Sequence, residues 1–282
     1  MAVTPNLIKL DEDDKYYISA DSTYADDRIQ VLNHSDTFGI FDRWGNILPI
    51  GKAIRGIYHN DTRYINKMEM KMNGHLPTLL SSAIKEKNEM LSVDLTNPEM
   101  TLDNGETLHH GSIHIRRSQF IRTSAFHEKI ELTNFNNDPL TISISLTFEG
   151  DFKDIFEIRG MLRKKRGTLT DFIFSENKQV TFGYMGLDNV MRMAKVKFTR
   201  PFSNVNEEEN VVHFELMLKP DQTVSLNYSI LFIVDDQEIP ALSYNITDDG
   251  IDTELEDVKA FFPKIRTANE QFTHWINRSI TD

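Results

Sequence analysis

The sequence predicts an all-β protein built as one large β-sandwich. Apolar and polar residues alternate along most of residues 15–234, a period of two that is typical of half-buried strands. Turn-forming Asn, Asp, Gly and Pro separate more than ten such runs, which follow one another through short links. One exposed sheet cannot bury an apolar face along so many strands, so we expect two packed sheets.

The clearest alternating stretch predicts a meander of at least three strands. Residues 112–122 and 127–135 are expected to pair, and the Asn-Asn-Asp-Pro sequence at 136–139 ends the second strand because Pro cannot donate to the ladder. Residues 140–148 resume the alternation. Further strands are predicted near Tyr17, Ile29 and Phe38 and over residues 64–72, 90–95, 155–162, 180–184, 193–198, 211–218 and 224–234.

The apolar period changes after Asp252 from two to three and four. This spacing predicts one amphipathic helix, or two helices broken at Pro263. The apolar positions are Leu255, Val258, Phe261, Phe262, Ile265, Ala268, Phe272, Trp275 and Ile276. We therefore divide the chain into a β-sandwich domain, residues 1–252, and a C-terminal helical linker, residues 253–282.

Composition and charge exclude several classes of function. Lys and Arg number 31 against 43 Asp and Glu, and the net charge of −12 disfavours a nucleic-acid partner. Cysteine is absent, which excludes disulfides and thiolate chemistry and fits a cytoplasmic protein. No apolar run approaches the ~20 residues that a membrane-spanning helix needs, and the start lacks a signal-peptide pattern, so no membrane partner is expected.

Sequence motifs for common cofactors and catalytic groups are also missing. The chain contains no G-x-G-x-x-G, no P-loop, no G-x-S-x-G and no H-E-x-x-H. His109, His110 and His114 lie close together, and on a strand His110 and His114 would share one face, as two metal ligands might. No carboxylate or third imidazole accompanies that pair in sequence, and alternating strands often carry exposed His, which is the favoured interpretation. We therefore expect no cofactor, no metal and no complete catalytic site.

The densest polar motif spans residues 151–160 and begins at Asp151. On a strand, Glu157 and Arg159 would share one face, where they can form an ion pair or bind sugar hydroxyls together. Asp154 would point to the opposite face and need a hydrogen-bond partner, so Asp154 and Glu157 form a poor glycosidase pair. That opposite face should be core and holds Phe152, Phe156 and Ile158.

A second group of candidates lies near residue 60. Asp61 and Thr62 can lock a turn through side-chain to backbone hydrogen bonds, which leaves Arg63 to pair with a carboxylate. The turn can present these groups to a ligand or to a neighbouring domain. Trp44 and Tyr58 are candidate sugar-stacking surfaces, although either ring can equally well pack in the core. The basic run at residues 163–166 reads as a solvated hairpin end.

Five segments together resemble the N-terminal domain of bacterial and archaeal glycogen debranching enzymes of the amylo-α-1,6-glucosidase type. The resemblance covers residues 24–234, and the Asp-Thr-Arg and Phe-Glu-Ile-Arg-Gly elements make it specific. The segments, in order, are FGIFDRWG at 38–45, GIYHNDTRYI at 56–65, MNGHLPTLLSS at 72–82, LTNP at 95–98 and DFKDIFEIRG at 151–160. One departure is the Trp at position 44, where the family often has Arg followed directly by Gly.

The resemblance implies a β-supersandwich related in shape to galactose mutarotase. In the family an α-helical toroid follows the sandwich and holds the catalytic carboxylates, and residues 275–282 match the junction to that toroid. The chain is therefore expected to be an excised or separately encoded N-terminal domain. Its implied partners are the toroid and an α-glucan or oligosaccharide.

Three functions remain open from the sequence. The leading hypothesis is a non-catalytic domain that packs on a glycoside-hydrolase barrel and helps shape the α-glucan cleft, with homo-oligomerisation possible if apolar surface is exposed. The second is a free-standing carbohydrate-binding module that uses Trp44 and Tyr58. The third is a mutarotase-like sugar enzyme, which would need His110 or His114 together with Glu157 in a concave site.

Overall fold

The computed structural model describes residues 7–9, 16–18, 28–49, 54–84, 90–102, 105–122, 124–235, 269 and 272. Strands dominate this part of the chain. In chain order the elements are β1 (Leu7–Lys9), β2 (Tyr16–Ile18), β3 (Gln30–His34), β4 (Thr37–Phe41), β5 (Gly56–His59), β6 (Thr62–Ile65), β7 (Lys67–Met72), β8 (Thr78–Ile84), β9 (Leu91–Thr96), β10 (Met100–Thr101), β11 (Thr107–Leu108), β12 (Ile113–Arg122), β13 (Ala125–Asn134), β14 (Leu140–Glu149), β15 (Lys153–Asp154), α1 (Ile155–Ile158), β16 (Thr168–Leu169), β17 (Ile173–Ser175), β18 (Gln179–Met185), β19 (Met191–Phe198), β20 (Asn204–Asn206), β21 (Val211–Leu218) and β22 (Thr223–Val234).

The described strands form three larger antiparallel sheets and two hairpin-sized ones. The nine-stranded sheet has the order β16-β18-β19-β22-β13-β12-β9-β8, and β17 also pairs with β18. The four-stranded sheet has the order β20-β21-β14-β7, and the five-stranded sheet has the order β15-β6-β5-β4-β3. The small sheets are β1-β2 and β10-β11. Within the described ranges, no helix is long and apolar enough to cross a bilayer.

The core lies between the nine-stranded sheet and the other two larger sheets. Phe148 of β14 packs on Tyr228 of β22 with ring centroids 5.7 Å apart, and Phe41 of β4 packs on Phe126 of β13 at the same distance. All four rings are at most 2% exposed. Contacts of this kind join the sheets face to face, which confirms the predicted all-β sandwich.

Several predictions about individual elements need correction. The strands predicted at 112–122 and 127–135 do pair, as β12 and β13, but β14 does not continue their meander. Instead β13 pairs with β22, and β14 lies in the four-stranded sheet between β21 and β7. Residues 135–139 therefore cross between sheets, which a strand-by-strand pattern does not reveal. The edge strand β8 was not predicted, and the helical linker predicted for residues 253–282 lies outside the described residues apart from Asn269 and Phe272.

A buried charge pair lies between the sheets, formed by Arg117 of β12 and Glu128 of β13. Both side chains are 0% exposed, and Arg117 Nε donates to Glu128 Oε1 at 2.5 Å. Gln119 donates to Glu128 at 3.0 Å, and the hydroxyl of Tyr228 also donates to this carboxylate. Burial and the charge of Glu128 together hold the pKa of Tyr228 well above its usual value, so the phenol remains a donor. Donors from the two neighbouring strands, β12 and β22, therefore satisfy the carboxylate.

The remaining donors of Arg117 bind the turn that follows β4. Arg117 Nη1 donates to the backbone oxygen of Trp44 at 2.7 Å and to Asn46 Oδ1 at 2.6 Å. Asp42 closes the turn by accepting from the backbone N–H groups of Trp44 and Asn46. Gly45 adopts a left-handed φ of 74°, and its oxygen accepts from Gln119. The Asp-Arg-Trp-Gly segment is thus a structural turn fixed by the buried pair.

We expect Arg117→Met to lower the free energy of unfolding by about 3–5 kcal/mol, because it leaves Glu128 charged and uncompensated in the core. Arg116→Met is the matched control, since Arg116 is the neighbouring residue of β12 and its half-exposed side chain pairs with Asp94. That exposed pair contributes at most about 1 kcal/mol. Urea unfolding of both variants checks this, and equal losses would contradict the role of the buried pair.

The stability of the sandwich should also depend on His127. The side chain is 3% exposed, its ring stacks on Phe120 at 4.9 Å, and Nδ1 lies 2.8 Å from Ser229 Oγ. Burial lowers the pKa of His127 to about 4. The folded state thus favours the neutral ring, so this contribution to stability is complete above pH ~6.5 and is lost as the pH falls towards 4.

We therefore expect the stability difference between wild type and His127→Gln to change by roughly 3 kcal/mol between pH 7 and pH 4, in the direction that penalises the wild type in acid. Urea unfolding of the two proteins across this pH range measures the difference, and a constant difference would contradict the pKa shift. The comparison cancels the titration of every other group.

Candidate functional site

The two polar motifs predicted from the sequence lie side by side in the structure. Strands β6 and β15 pair, with Lys153 opposite Arg63 and Asp154 opposite Thr62. The backbone N–H of Ile155 donates to the oxygen of Asp61 at 3.0 Å, which extends the contact beyond the strands. The edge of the five-stranded sheet thereby brings together residues that are about 90 positions apart in the chain.

Arg63 pairs with a carboxylate, as its position in the turn predicts, and the partner is Asp151. Nε donates to Asp151 Oδ1 at 3.0 Å and Nη2 to Oδ2 at 2.5 Å, in a bidentate arrangement. Burial alone would lower the pKa of Arg63, but the hydrogen bonds and charge of Asp151 raise it. A Cβ at Gly56 would lie 2.4 Å from Arg63 Cδ, so only glycine leaves room for this side chain.

The predicted strand over residues 155–162 is wrong, because a helical turn occupies this position. Asp154 is the N-cap of α1 and accepts from the backbone N–H groups of Phe156 at 2.8 Å and Glu157 at 2.9 Å. Glu157 in turn accepts from the N–H of Asp154 at 3.2 Å, which completes a capping box. Glu157 and Arg159 therefore do not share a strand face, and Arg159 lies exposed at the end of the helix.

The predicted core face of this motif is only partly correct for the same reason. Phe152 is 3% exposed and packs in the core, whereas Phe156 is 54% exposed on the helical turn. Ile158 is half-buried. Phe152 also adopts a left-handed φ of 47°, a strained conformation for an aromatic residue that re-aims the chain from β14 into β15.

Two arginines of the basic run 163–166 belong to this site, although the run was predicted to be a solvated hairpin end. Arg163 forms an ion pair with Asp154. Arg166 Nε lies 3.0 Å from Glu157 Oε1, and its Nη2 donates to the backbone oxygen of Asp151 at 2.7 Å. The guanidinium of Arg166 also lies over the ring of Tyr184, 5.3 Å from the centroid. Arg166 thus ties the helical turn to β18 of the nine-stranded sheet.

Together these groups surround an open pocket of about 300 Å³. The turn between β18 and β19 closes its far side, where Arg192 Nη2 donates to Asp188 Oδ2 at 2.8 Å. Hydrogen bonding to Arg192 lowers the pKa of Asp188 to about 2. The lining residues are Thr62, Phe152, Asp154, Glu157, Arg163, Lys165, Arg166, Tyr184, Gly186, Leu187, Asp188 and Arg192. Sequence reasoning missed Tyr184, Asp188 and Arg192.

The pocket carries paired charges suited to holding a polar ligand. Each of its three carboxylates faces an arginine, and Thr62 adds a hydroxyl. Backbone hydrogen bonds and Arg163 lower the pKa of Asp154 despite its partial burial, so this group stays ionised. Ionised carboxylates accept hydrogen bonds from ligand hydroxyls, whereas a general acid needs a raised pKa. The arrangement therefore favours recognition of hydroxyl-rich molecules.

Other predicted site residues lie elsewhere. Tyr58 is 2% exposed, stacks on Phe38 at 4.5 Å and donates its hydroxyl to the oxygen of Ile54, so the proposed sugar-stacking role does not fit its burial. Trp44 is half-buried, packs against the core and donates its indole N–H to Pro77 at 3.1 Å. Neither ring lines the pocket, because the turn after β4 holds Trp44 against the core and Tyr58 is buried within β5.

The histidine cluster is also separate from the pocket. His114 Nε2 lies 3.0 Å from Asp94, and His109 is exposed near Glu99. Glu157 instead faces Arg166, so Glu157 and His114 of the mutarotase-like set each have another partner. Among the residues that the structure describes, no three metal-binding side chains come together.

The fold and the pocket define a β-sandwich domain with a polar, charge-paired recess at one sheet edge. A sequence profile described as the N-terminal domain of (some) glycogen debranching enzymes matches residues 32–229. Because this match covers more than half of the chain, the protein belongs to that family of domains. No curated protein sequence matches the chain significantly.

Solved structures resemble the chain only distantly. A chain assigned as a kojibiose phosphorylase, from the human microbiome, is 11% identical with a TM-score of 0.43 over 80% of this chain. This chain spans 28% of the length of that protein. A galactose mutarotase related enzyme from Lactobacillus acidophilus is 6% identical with a TM-score of 0.40, over 75% of this chain and 99% of that one. The heparan sulfate lyase HepC from Pedobacter heparinus is 13% identical with a TM-score of 0.35, over 76% of this chain and 33% of that one.

We expect Arg63→Lys to destabilise the protein by roughly 2–3 kcal/mol, because lysine cannot reproduce the buried bidentate contact with Asp151. Lys153→Met is the matched control, since Lys153 is a second cation near the same carboxylate, at 3.7 Å, but is 43% exposed. Its loss should cost at most about 1 kcal/mol. Thermal and urea unfolding measure both variants, and an Arg63→Lys protein as stable as wild type would contradict the proposed importance of this pair.

Proposed function

We propose that this chain is the non-catalytic N-terminal domain of a glycogen-debranching glycoside hydrolase. It packs against a catalytic α-helical barrel of the same protein, and its pocket helps to shape the α-glucan cleft. The observation that carries the proposal is the family match over residues 32–229, combined with a polar pocket built from the motif residues themselves. The cleavage of α-1,6 bonds is assigned to the barrel, and the cysteine-free chain suits a reducing cytoplasm.

The surroundings of the pocket support a role in domain docking. Leu187 lines the pocket and is 64% exposed. Phe156, Met161 and Leu162, in the segment that forms the opposite wall, are 54%, 49% and 94% exposed. Large exposed apolar side chains gathered on one surface are typical of a contact with another protein, and here they form the rim of the pocket. We place the barrel against this rim, with glucan hydroxyls meeting the charged centre.

The reading frame downstream of the codon for Asp282 tests the connection to a barrel. A frame that continues for several hundred residues with helical periodicity supports the proposal. A stop codon directly after Asp282 contradicts the covalent arrangement and favours a free-standing carbohydrate-binding module.

We expect Glu157→Gln to weaken the binding of a maltooligosaccharide by at least about 10-fold, because it removes a charged acceptor worth roughly 1.5–3 kcal/mol. The substitution keeps the helix start, since glutamine also completes a capping box. Glu215→Gln, on the exposed face of β21, is the matched control and should bind like wild type.

Isothermal titration of the full chain with maltotetraose at millimolar concentration measures this binding. Equal affinities of Glu157→Gln and Glu215→Gln would show that the pocket does not bind the glucan. If wild type does not bind maltotetraose at all, direct glucan contact is overturned. The docking role would then be tested only by the downstream reading frame.

A further inference from the structure

The pocket described above carries more positive than negative charge. Four cations and three carboxylates line it, and Arg163, Arg166 and Arg192 each form an ion pair with one of the carboxylates. The fourth cation is Lys165, whose side chain is exposed. Among the ion pairs that the described residues form, none involves Lys165. One ammonium group at the pocket is therefore available to a ligand.

A second cation of the pocket, Arg163, also has donors to offer. A guanidinium carries several N–H donors, and within the described part of the chain Arg163 donates only to Asp154. Its side chain is 41% exposed, so its remaining donors are open to solvent. Lys165 follows two positions later and lines the same pocket. The two side chains can therefore contact one anionic group together.

The charge around the pocket differs in sign from that of the whole chain. Residues 159–166 carry five cations and no carboxylate, although the net charge of the chain is −12. Salt largely screens surface charges that lie farther away than the Debye length, which is roughly 8 Å at physiological ionic strength. A ligand in the pocket therefore responds to the nearby cations and not to the acidic character of the distant surface.

Resting on the function proposed above, we propose that the ligand of the pocket is a glucosyl unit that carries a phosphomonoester. The carboxylates of the pocket accept hydrogen bonds from the sugar hydroxyls, and Lys165 and Arg163 bind the phosphate. The ester can belong to a glucan chain or to a free hexose phosphate, because both present the same group beside the same hydroxyls.

A phosphomonoester fits these cations better than a sugar carboxylate does. It carries roughly 1.5 to 2 negative charges at neutral pH and three acceptor oxygens, so it can meet Lys165 and Arg163 at once. A carboxylate carries a single charge and is bound best by the two parallel donors of an arginine. The arginines of the pocket already direct donors at Asp154, Glu157 and Asp188, which leaves a lysine as the uncommitted cation.

Isothermal titration of the full chain tests this ligand class. Maltotetraose is compared with maltotetraose that carries one 6-phosphate, and the ratio of the two affinities defines the phosphate selectivity. Lys165→Met removes the cation and keeps most of its aliphatic stem. Lys164→Met is the matched control, since Lys164 is the adjacent exposed lysine but does not line the pocket. Because both side chains are exposed, both variants should fold.

We expect wild type to show a phosphate selectivity of at least about 20-fold, because two cations contribute charge-assisted contacts. Lys165→Met should lower this selectivity at least about 10-fold, and Lys164→Met should change it by less than about 2-fold. Glu157→Gln should weaken the binding of both ligands without lowering the selectivity, because it removes a contact to hydroxyls and not one to phosphate.

Glucose 6-phosphate and inorganic phosphate separate the possible sources of the ester. Binding of glucose 6-phosphate that is as tight as that of the phosphorylated maltotetraose identifies a free hexose phosphate as sufficient, whereas weaker binding favours a phosphorylated glucan. Both results support the proposed ligand class. Inorganic phosphate that binds as tightly as either ester would overturn it, because the sugar hydroxyls would then contribute nothing.

The two maltotetraose ligands also separate the phosphate site from the neutral-glucan contact of the proposed function. Maltotetraose binding without phosphate selectivity, or equal selectivities of Lys165→Met and Lys164→Met, would overturn the phosphate ligand and leave the glucan contact intact. Binding of the phosphorylated ligand alone would support the phosphate ligand and overturn contact with neutral glucan. If the chain binds neither ligand, both are overturned.

Discussion

A fully buried ion pair, Arg117 with Glu128, constrains how this sandwich assembles. Two charges can remain in a core only if every strong donor and acceptor finds a partner, because an unpaired buried charge costs several kcal/mol. Gln119 and Tyr228 complete the shell of the carboxylate, and the turn after β4 completes that of the guanidinium. Strands β12, β13 and β22 and this turn must therefore reach their final positions together, which specifies one register among many that the alternating pattern allows.

The same network positions the remainder of the molecule. Asn46 accepts from Arg117 and also from the backbone N–H of Met70, so the turn connects the nine-stranded sheet to β7 of the four-stranded sheet. The turn also ends β4, which is the neighbour of β5, and β5 pairs with β6. Strand β6 carries Arg63 to the sheet edge, where it meets Asp151. The pocket thus depends on a chain of satisfied polar contacts that begins in the core.

Alternation in the sequence predicts the long strands well, because a period of two directly reports which face is buried. It fails at residues 155–162, where the apolar Phe156 and Ile158 imitate a strand although Asp154 and Glu157 are spaced as a capping box. That spacing was visible in the sequence and identifies the helix start. In contrast, the pairing of Arg63 with Asp151 joins residues 88 positions apart, and no local pattern specifies which carboxylate a given arginine meets. The crossing of β14 to another sheet is hidden for the same reason.

The electrostatics of the pocket disfavour a general-acid role for Asp154 and Asp188. Hydrolysis of a glycosidic bond needs one carboxyl group that keeps its proton near neutral pH, which burial away from cations provides. In the pocket the carboxylates lie next to cations instead, since arginines face Asp154, Glu157 and Asp188. The pKa values of Asp154 and Asp188 are lowered. Groups held ionised in fixed ion pairs offer oriented acceptors at little conformational cost on binding. Under the function proposed above, such a pocket would fix the position of a glucan chain while a neighbouring domain supplied the acid.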